Sequence, residues 1–147
     1  LIIMDEPTAP LTPKEVAIYA FEKKDGWKVK KVKEISEKIQ YGLTSKSSLD
    51  YSGPKYLRIT DIQNRKVDWE GVTFAEQKGD IENYILNEDD LVFARTGATV
   101  GKSFLIKSCP KNSVFASYLI RIVPNKKEVS PDLLYYYFEE IILIIRT

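Results

Sequence analysis

The sequence predicts an α+β fold, in which a twisted, mixed or antiparallel sheet carries short flanking helices and a C-terminal helix. Residues 55–124 contain several short apolar or alternating runs separated by only a few residues, which is typical of strands joined by tight turns. Connections of that length leave little room for the helical crossovers of a parallel sheet. Ser130 followed by Pro131 marks the start of a helix, because proline is favoured at the first helical position. With 44% hydrophobic residues in 147, the chain is long enough to bury one core.

Residues 1–26 are interpreted as an N-terminal extension. They combine an apolar start, a turn-rich patch and a predicted helix over 13–23. Within the patch, "MDEPTAPLT" resembles the stretch of ABC-transporter ATPases in which an aspartate binds magnesium and a glutamate polarises water, and the resemblance would give those roles to Asp5 and Glu6. Such an ATPase needs a phosphate-binding loop upstream, and this sequence has only a downstream near-match. We therefore interpret the segment as a coincidence or a fused piece rather than a functional remnant.

Residues 27–128 are expected to form the main domain, which begins with a helix. In "WKVKKVKEISEKIQYG", Val32, Ile35 and Ile39 recur at helical spacing with lysines and glutamates between them. We therefore expect a helix near residues 31–40, and the glycine at the end of this stretch is suited to terminate it.

Strands are predicted in the middle of the chain. The segment "KYLRITDI" alternates, with Tyr56, Arg58 and Thr60 on one face. Leu57 and Ile59 would then lie on the opposite face. The segments "KVDWEGVTF" and "SVFASYLIRIVP" have a similar content of β-branched and aromatic residues, so we expect them to form further strands of the sheet.

The stretch "GATVGKS" is similar to a phosphate-binding loop but does not have its spacing. Such a loop needs four residues between its glycines, whereas Gly97 and Gly101 enclose only three. A phosphate-binding loop also runs into a helix, whereas Lys102 is followed by a short apolar run typical of a strand. We therefore predict a hairpin of two strands, 91–95 and 103–107, with a glycine-containing turn at its tip.

Residues 129–147 are predicted to form the C-terminal helix. Its apolar stripe comprises Leu134, Tyr137, Phe138, Ile141 and Ile145. Much of the helix surface is apolar, so we expect it to pack against more protein. Packing on its own domain and docking of a partner are both compatible with this pattern. The residues predicted for a partner interface are Tyr137, Phe138, Ile141 and Ile145.

The composition excludes several kinds of functional site. The sequence contains no histidine and one cysteine, Cys109, which excludes an internal disulfide, the usual zinc sites and a histidine general base. Lys and Arg total 22 against 21 acids, so any basic surface must be local. The terminal "IILIIRT" is too short to span a bilayer, and we expect a cytoplasmic protein.

The order of motifs from residue 27 to about residue 145 resembles the target-recognition half of a type I restriction-modification specificity subunit. The matching pieces are, in order, "WKVKKVKEI", "IQYGLTSK", "YLRITDIQN", "LNEDDLVFARTGATVGKSFLI", "FASYLIRIVP" and "SPDLLYYYF". The resemblance implies a non-catalytic module that reads one half of a split DNA target. A full subunit of that family carries two such domains, each followed by a long helix, and the paired helices set the spacing of the two half-sites.

The resemblance also implies partners. Modification subunits, which use S-adenosylmethionine, would dock on the chain and methylate adenine, and a restriction subunit would join them. S-adenosylmethionine and ATP are therefore expected only on partner subunits, while the chain itself would hold no cofactor, metal or catalytic residue. Because the sequence holds one recognition domain, pairing of two copies as half-subunits is one expected assembly. The alternative functions are a protein-interaction module and a degenerate ATP-binding fragment without DNA specificity.

Residues that can contact DNA fall in loops, one strand and one turn. Arginine can grip guanine, and asparagine or glutamine can grip adenine, while lysine, serine and threonine fix the register through phosphates. The candidates are Thr44, Ser45, Lys46, Ser48, Tyr51, Arg58, Gln63, Asn64, Arg65, Arg95, Thr96, Thr99 and Lys102. The glycines and Lys102 of the hairpin tip are equally compatible with a scaffold role. The DNA interpretation requires the 44–48 loop, Arg58 and the hairpin residues to face solvent as one cluster.

Overall fold

The computed structural model describes residues 2–3, 29–95 and 102–146, and side-chain surroundings for residues 30–95 and 102–139. The sequence predictions that lie outside the described residues concern the helix over 13–23, Asp5, Glu6, Thr96, Thr99 and the side chains of Ile141 and Ile145. The described strands are β1 (Ile2–Ile3), β2 (Val29–Lys30), β3 (Ser36–Tyr41), β4 (Ser47–Ser48), β5 (Tyr56–Leu57), β6 (Ile62–Gln63), β7 (Lys66–Val67), β8 (Phe74–Ala75), β9 (Leu91–Ala94), β10 (Ser103–Leu105), β11 (Val114–Phe115) and β12 (Leu119–Pro124). The helical elements are the 3-10 turns Val32–Ile35, Ile59–Asp61 and Glu82–Tyr84 and the helix α1 (Pro131–Arg146).

A four-stranded antiparallel sheet forms the centre of the fold, with the strand order β10, β9, β12, β3. β9 and β10 form the predicted hairpin, in which Phe93 lies opposite Ser103. β12 lies between β9 and β3 and pairs Ile120 with Tyr41. The predicted α+β class and the hairpin are confirmed.

Alternate residues of β9 enter two different cores, one on each face of the sheet. Val92 and Ala94 belong to the buried cluster that contains Phe115. Leu91 and Phe93 pack in the cluster that α1 covers. A strand buried on both faces needs a continuous apolar run, and "LVFA" is such a run.

The face of the sheet that carries Val92 and Ala94 packs against residues of the β5–β11 and β6–β7 ribbons. β5 pairs with β11 in parallel, whereas the β4–β8 and β6–β7 pairs are antiparallel. Leu57, Ile62 and Phe115 are fully buried there. The pairing is therefore mixed, as the sequence predicted.

The helix α1 covers the other face and begins at Pro131, as predicted. Leu134 is buried, and its N–H donates to the Ser130 carbonyl at 3.0 Å. The Phe138 ring meets the Phe93 ring edge to face, with centroids 4.7 Å apart. Among the described residues, no helix combines the length and the apolar composition that crossing a membrane requires.

The predicted helix near residues 31–40 is wrong. The chain makes only the 3-10 turn Val32–Ile35 and then enters β3. Ile35 is buried, as the helical spacing required, but Ile39 is 45% exposed because it lies on an edge strand. Antiparallel pairing with β12 supplies the backbone hydrogen bonds that a helix would have made.

Gly42 is needed for a close approach rather than for the predicted end of a helix. A Cβ atom at this position would lie 2.1 Å from the Ala116 carbonyl oxygen. The Gly42 N–H donates to the Leu119 carbonyl at 3.2 Å, and the next N–H, that of Leu43, donates to Phe115 at 2.7 Å. The chain leaving β3 is therefore held against the backbone of residues 115–119.

The strand predicted in "KYLRITDI" is shorter than expected. β5 covers only Tyr56 and Leu57, and a 3-10 turn follows at Ile59–Asp61. Tyr56 and Leu57 are both buried but belong to different clusters, which agrees with the predicted alternation of faces for these two residues. The Asp61 carboxylate accepts the Arg58 backbone N–H at 2.8 Å, and this local contact replaces strand pairing.

Candidate nucleic-acid interface

Four strands of the central sheet meet solvent at one end. β3 and β9 end there, and β10 and β12 begin there, since Ala94 lies opposite Leu119 and Phe93 lies opposite Ser103. The side chains at this end are those of Tyr41, Arg95, Lys102 and Tyr118, which we call the Arg95 surface. Arg95 and Lys102 were candidates from the sequence, whereas the two tyrosines were missed.

Arg95 is held from two sides. Its guanidinium carbon lies 4.6 Å from the centroid of the Tyr41 ring, and its backbone N–H donates to the Tyr118 carbonyl at 3.1 Å. The two tyrosines are 59% and 60% exposed. A guanidinium this close to an aromatic ring is attracted to it, which narrows the range of orientations that the arginine adopts. Arg95 therefore reaches solvent with a restricted side chain.

The arginines with described side chains differ in their partners. Arg58, Arg65 and Arg121 each pair with a carboxylate, at N–O distances of 3.1, 2.9 and 3.1 Å. Within the described part of the chain, Arg95 has no carboxylate partner and contacts the Tyr41 ring instead. An anion that reaches this end of the sheet therefore meets a guanidinium that no described acid neutralises.

The 44–48 loop leaves β3 next to the Arg95 surface, and a buried tyrosine holds its backbone. The Tyr56 hydroxyl accepts the Ser45 N–H at 3.3 Å and lies 2.9 Å from the Leu43 carbonyl. Burial raises the pKa of the Tyr56 hydroxyl, which keeps its proton available for donation. The exposed side chains of this loop are Thr44, Lys46 and Ser47.

Ser48 and Tyr51 lie further along the same loop, beside β8. Ser48 pairs with Phe74, and the Tyr51 ring, which is 87% exposed, lies with its centroid 5.2 Å from that of Phe74. Asp50 separates the two candidates along the chain. The Ser52 backbone N–H and the Lys78 ammonium hold the pKa of the Asp50 carboxyl well below its usual range. The acid nearest to Tyr51 in the sequence is therefore matched by a lysine.

Arg58 lies beside the 44–48 loop but is already paired. Its guanidinium is 3.1 Å from Asp61, and 35% of the Arg58 side chain is exposed. The positive charge of Arg58 acts on the Tyr56 hydroxyl, where it opposes the effect of burial on the pKa. A DNA contact by Arg58 would have to displace Asp61.

The turn at residues 63–65 lies at the opposite edge of the sheet, against α1. Asn64 and Arg65 join β6 to β7 with φ values of 50° and 61°, so both lie in the left-handed region. Asparagine tolerates this conformation, whereas it strains arginine. The Arg65 Nε lies 2.9 Å from the Glu139 carboxylate, which also accepts the Ser103 hydroxyl. Glu139 therefore connects the 63–65 turn to the start of β10.

The Arg95 surface and the segments beside it are suited to binding a polyanion. They combine a guanidinium, ammonium groups, hydroxyls and aromatic rings, which are groups that contact phosphates and base edges. In the described ranges, no group of three or more His, Cys, Asp or Glu residues is placed to hold a metal ion. The arrangement favours recognition of a charged ligand by hydrogen bonds and stacking.

Most of the chain matches one protein family. A family model of the type I restriction modification DNA specificity domain matches residues 24–145. The chain belongs to this family. It is also similar to a putative type I restriction enzyme MjaX specificity subunit from Methanocaldococcus jannaschii, with 29% identity over 116 residues. That match covers 76% of the chain but 27% of the relative, so the chain spans about a quarter of the relative's length.

The family predicted from the order of motifs is thereby confirmed. A DNA specificity domain is a recognition module and not a catalytic subunit, which agrees with the sequence prediction. The near-match to a phosphate-binding loop lies inside the matched region, where the structure shows strands before and after it.

In this DNA specificity domain, described residues of the predicted partner stripe on α1 pack on the domain itself. Tyr137 and Phe138 are half-buried against the cluster that contains Leu91, and Leu134 is 1% exposed within that cluster. For these side chains the structure favours intramolecular packing, the first of the two alternatives. The large apolar side chains of α1 that are exposed in the described region are Leu133 and Tyr136.

Sequence reasoning also missed a buried ion pair at the start of β9. Arg121 and Asp90 are 4% and 2% exposed, and their side chains lie 3.1 Å apart. Arg121 also donates to the backbone carbonyls of Asn83 and Ile85 and to the Gln40 side chain. Burial raises the pKa of the Asp90 carboxyl, while a backbone N–H and Arg121 oppose that rise. The signal in the sequence was a lone arginine inside the apolar run "YLIRIVP".

Proposed function

We propose that this DNA specificity domain reads one half of a bipartite target in double-stranded DNA through the Arg95 surface. The observation that carries the proposal is the state of Arg95, which is exposed, lies over Tyr41 and has no carboxylate partner among the described residues. Arginine or lysine gripping guanine is the commonest specific contact in the major groove. Residues 27–128 would form the recognition domain in this proposal. Residues 129–147 would begin the long helix that sets the spacing of the two half-sites.

The dimensions of the sheet end support a contact with a DNA groove. Four strands at about 4.8 Å spacing span roughly 15 Å from β3 to β10. The major groove is about 12 Å wide, with phosphates on both sides. Thr44 and Lys46 lie towards the β3 side, and Lys102 and the 63–65 turn lie towards the β10 side. Hydroxyls and cations that flank a central arginine suit phosphate contacts on both sides of a base-reading contact.

We expect the chain alone to bind DNA weakly. Its net charge is only +1, and phosphate neutralisation supplies much of the affinity of DNA-binding proteins. Two of the candidate arginines, Arg58 and Arg65, would also have to leave their carboxylate partners before contacting a phosphate. A partner that adds positive surface around the DNA is therefore part of the proposal.

That partner is proposed to be the modification subunit of a type I system. This subunit would hold S-adenosylmethionine and methylate the target, and a restriction subunit that uses ATP would join the assembly. Two copies of the domain, paired as half-subunits, would present the two halves of the target. Ile141 and Ile145 remain proposed partner contacts, and the assembly would act on DNA in the cytoplasm.

The test is selection of bound DNA from a randomised duplex library, with the chain alone and with its modification subunit. We expect enrichment of a short motif of a few base pairs. Arg95→Gln should weaken that enrichment, whereas Lys111→Gln, which also removes one exposed positive charge, should leave it unchanged. No enriched motif in either condition, or equal effects of the two substitutions, would contradict the proposal.

A further inference from the structure

We propose that Tyr41 is a positioning residue whose ring orients the Arg95 guanidinium so that the arginine reads one guanine of the DNA target. The inference rests on the proposed function and adds a base and a mechanism to it. Arg95 would make the contact with DNA, and Tyr41 would act through Arg95.

The backbones on both sides of this contact are held by the sheet. Tyr41 is the last residue of β3, and the following Gly42 N–H donates to the Leu119 carbonyl at 3.2 Å. Arg95 directly follows β9, and its N–H donates to the Tyr118 carbonyl at 3.1 Å. Since both Cα positions are held, the contact between ring and guanidinium decides where the Arg95 side chain points.

The Tyr41 ring is not a core side chain. It is 59% exposed and belongs to none of the three buried clusters formed by the described residues. Its contact with Arg95, at 4.6 Å from the ring centroid, is a cation–π interaction at the protein surface. The contact with Arg95, rather than burial in a core, therefore accounts for the position of the Tyr41 ring.

A restricted arginine suits guanine better than phosphate. A phosphate accepts hydrogen bonds from many directions, so flexible lysines such as Lys46 and Lys102 suffice for it. Guanine presents O6 and N7 side by side in the major groove, and the planar fork of arginine matches this pair only in one orientation. Restricting the Arg95 side chain before binding also reduces the conformational entropy that the contact costs. The Arg95 surface therefore separates one base-reading cation from flanking cations that suit phosphates.

The experiment uses the full chain with its modification subunit and the motif enriched by the unsubstituted chain. Affinity is measured for duplexes in which each guanine in turn is replaced by 7-deazaguanine, which lacks the N7 acceptor. At one guanine we expect the unsubstituted chain to lose about 10-fold in affinity. Arg95→Met, which removes every donor, and Tyr41→Leu should lose this discrimination at that guanine alone, whereas Tyr41→Phe, which keeps the ring, should retain it. Tyr136→Leu removes an equally exposed tyrosine on α1 and is the matched control.

Each outcome separates the inference from the proposed function. If the unsubstituted chain enriches no motif, the proposed function itself fails. A guanine preference that survives Tyr41→Leu overturns the inference and leaves the function standing. A uniform loss of affinity for all duplexes in Tyr41→Leu, with a lower melting temperature, assigns Tyr41 to the fold and also overturns the inference. If Tyr41→Leu does not fold, Arg95→Met still tests the inference, because guanine discrimination retained by a side chain without donors rules out the arginine contact.

Discussion

Replacing Arg121 with methionine is expected to destabilise the DNA specificity domain by about 3–5 kcal/mol, because it leaves a buried carboxylate without its charge partner. Methionine keeps an apolar stem but none of the donors. In the structure, the Arg121 guanidinium donates hydrogen bonds to the Asp90 carboxylate at 3.1 Å and to the Gln40 side chain at 3.0 Å. It also donates to the backbone carbonyls of Asn83 and Ile85, at 2.9 and 2.5 Å. The Gln40 side chain and the Asn83 carbonyl belong to residues with solvent access, so the loss is expected to come mainly from Asp90, which is 2% exposed.

The assay is urea denaturation at neutral pH. With a slope of about 2 kcal/mol per molar urea, the expected loss lowers the midpoint by about 1.5–2.5 M. Adding Asp90→Asn to the Arg121→Met variant should restore part of the stability, because it removes the unpaired charge while keeping the side-chain volume. Arg95→Met is the matched control, since Arg95 is exposed and has no described carboxylate partner, and it should change stability by less than about 0.5 kcal/mol.

The effect of Arg121→Met should also depend on pH in a defined direction. Burial raises the pKa of the Asp90 carboxyl, and removing the opposing guanidinium raises it further. A carboxyl whose pKa is higher in the folded than in the unfolded protein favours folding at low pH, and that contribution is lost as the pH rises through the folded pKa. The stability deficit of the variant should therefore be larger at pH 8 than at pH 5. A deficit equal to that of Arg95→Met, or one that grows as the pH falls, would refute this reasoning.

Two further predictions rest on single contacts. Gly42→Ala should destabilise the domain by about 1–3 kcal/mol, seen as a lower melting temperature, because the added Cβ would lie 2.1 Å from the Ala116 carbonyl oxygen. Gly79→Ala, where a Cβ meets no atom within 4 Å, is the control, and equal melting temperatures of the two variants would contradict the prediction. The Lys126 ammonium holds the pKa of the Asp89 carboxyl below its usual value of 3.8, so stability should fall as the pH drops below about 4, and Asp89→Asn should make that fall less steep. An unchanged acid limb of the stability curve in Asp89→Asn would show that this ion pair contributes nothing.

Elements that depend on neighbouring residues were predictable from the sequence. The start of α1 follows from serine and proline at positions 130 and 131, because the proline ring already has the helical φ and lacks only a hydrogen bond that the first turn does not need. The β9–β10 hairpin follows from two apolar runs around a glycine-containing turn, and its strands form as predicted. Both signals act within a few residues, so they do not require knowledge of the rest of the fold.

Elements that depend on distant partners were not predictable in the same way. Val32, Ile35 and Ile39 have a spacing that fits a helix, yet Ser36–Tyr41 forms an edge strand because β12, some 80 positions later, offers it a ladder of backbone hydrogen bonds. Helix and sheet satisfy the same backbone groups, so a weak local preference is overridden by tertiary pairing.

The candidate site was also predictable only in part. The sequence identified residue types that suit DNA, including Arg95, Lys102 and the 44–48 loop, because arginine forks, ammonium groups and hydroxyls have recognisable chemistry wherever they occur. The sequence did not show which of these cations pair with a carboxylate. Arg65 meets Glu139 only because the β6–β7 turn folds against α1.

The sequence by itself determined the fold class, the family and the chemistry available for recognition, since each depends on residue types and their order along the chain. The tertiary structure decided that Tyr41 lies under Arg95, and that Arg121 and Asp90 are buried together. Contacts between residues that are 31 and 54 positions apart depend on strand register and on competition between charged partners. These are properties of the packed sheet, and no stretch of sequence contains them.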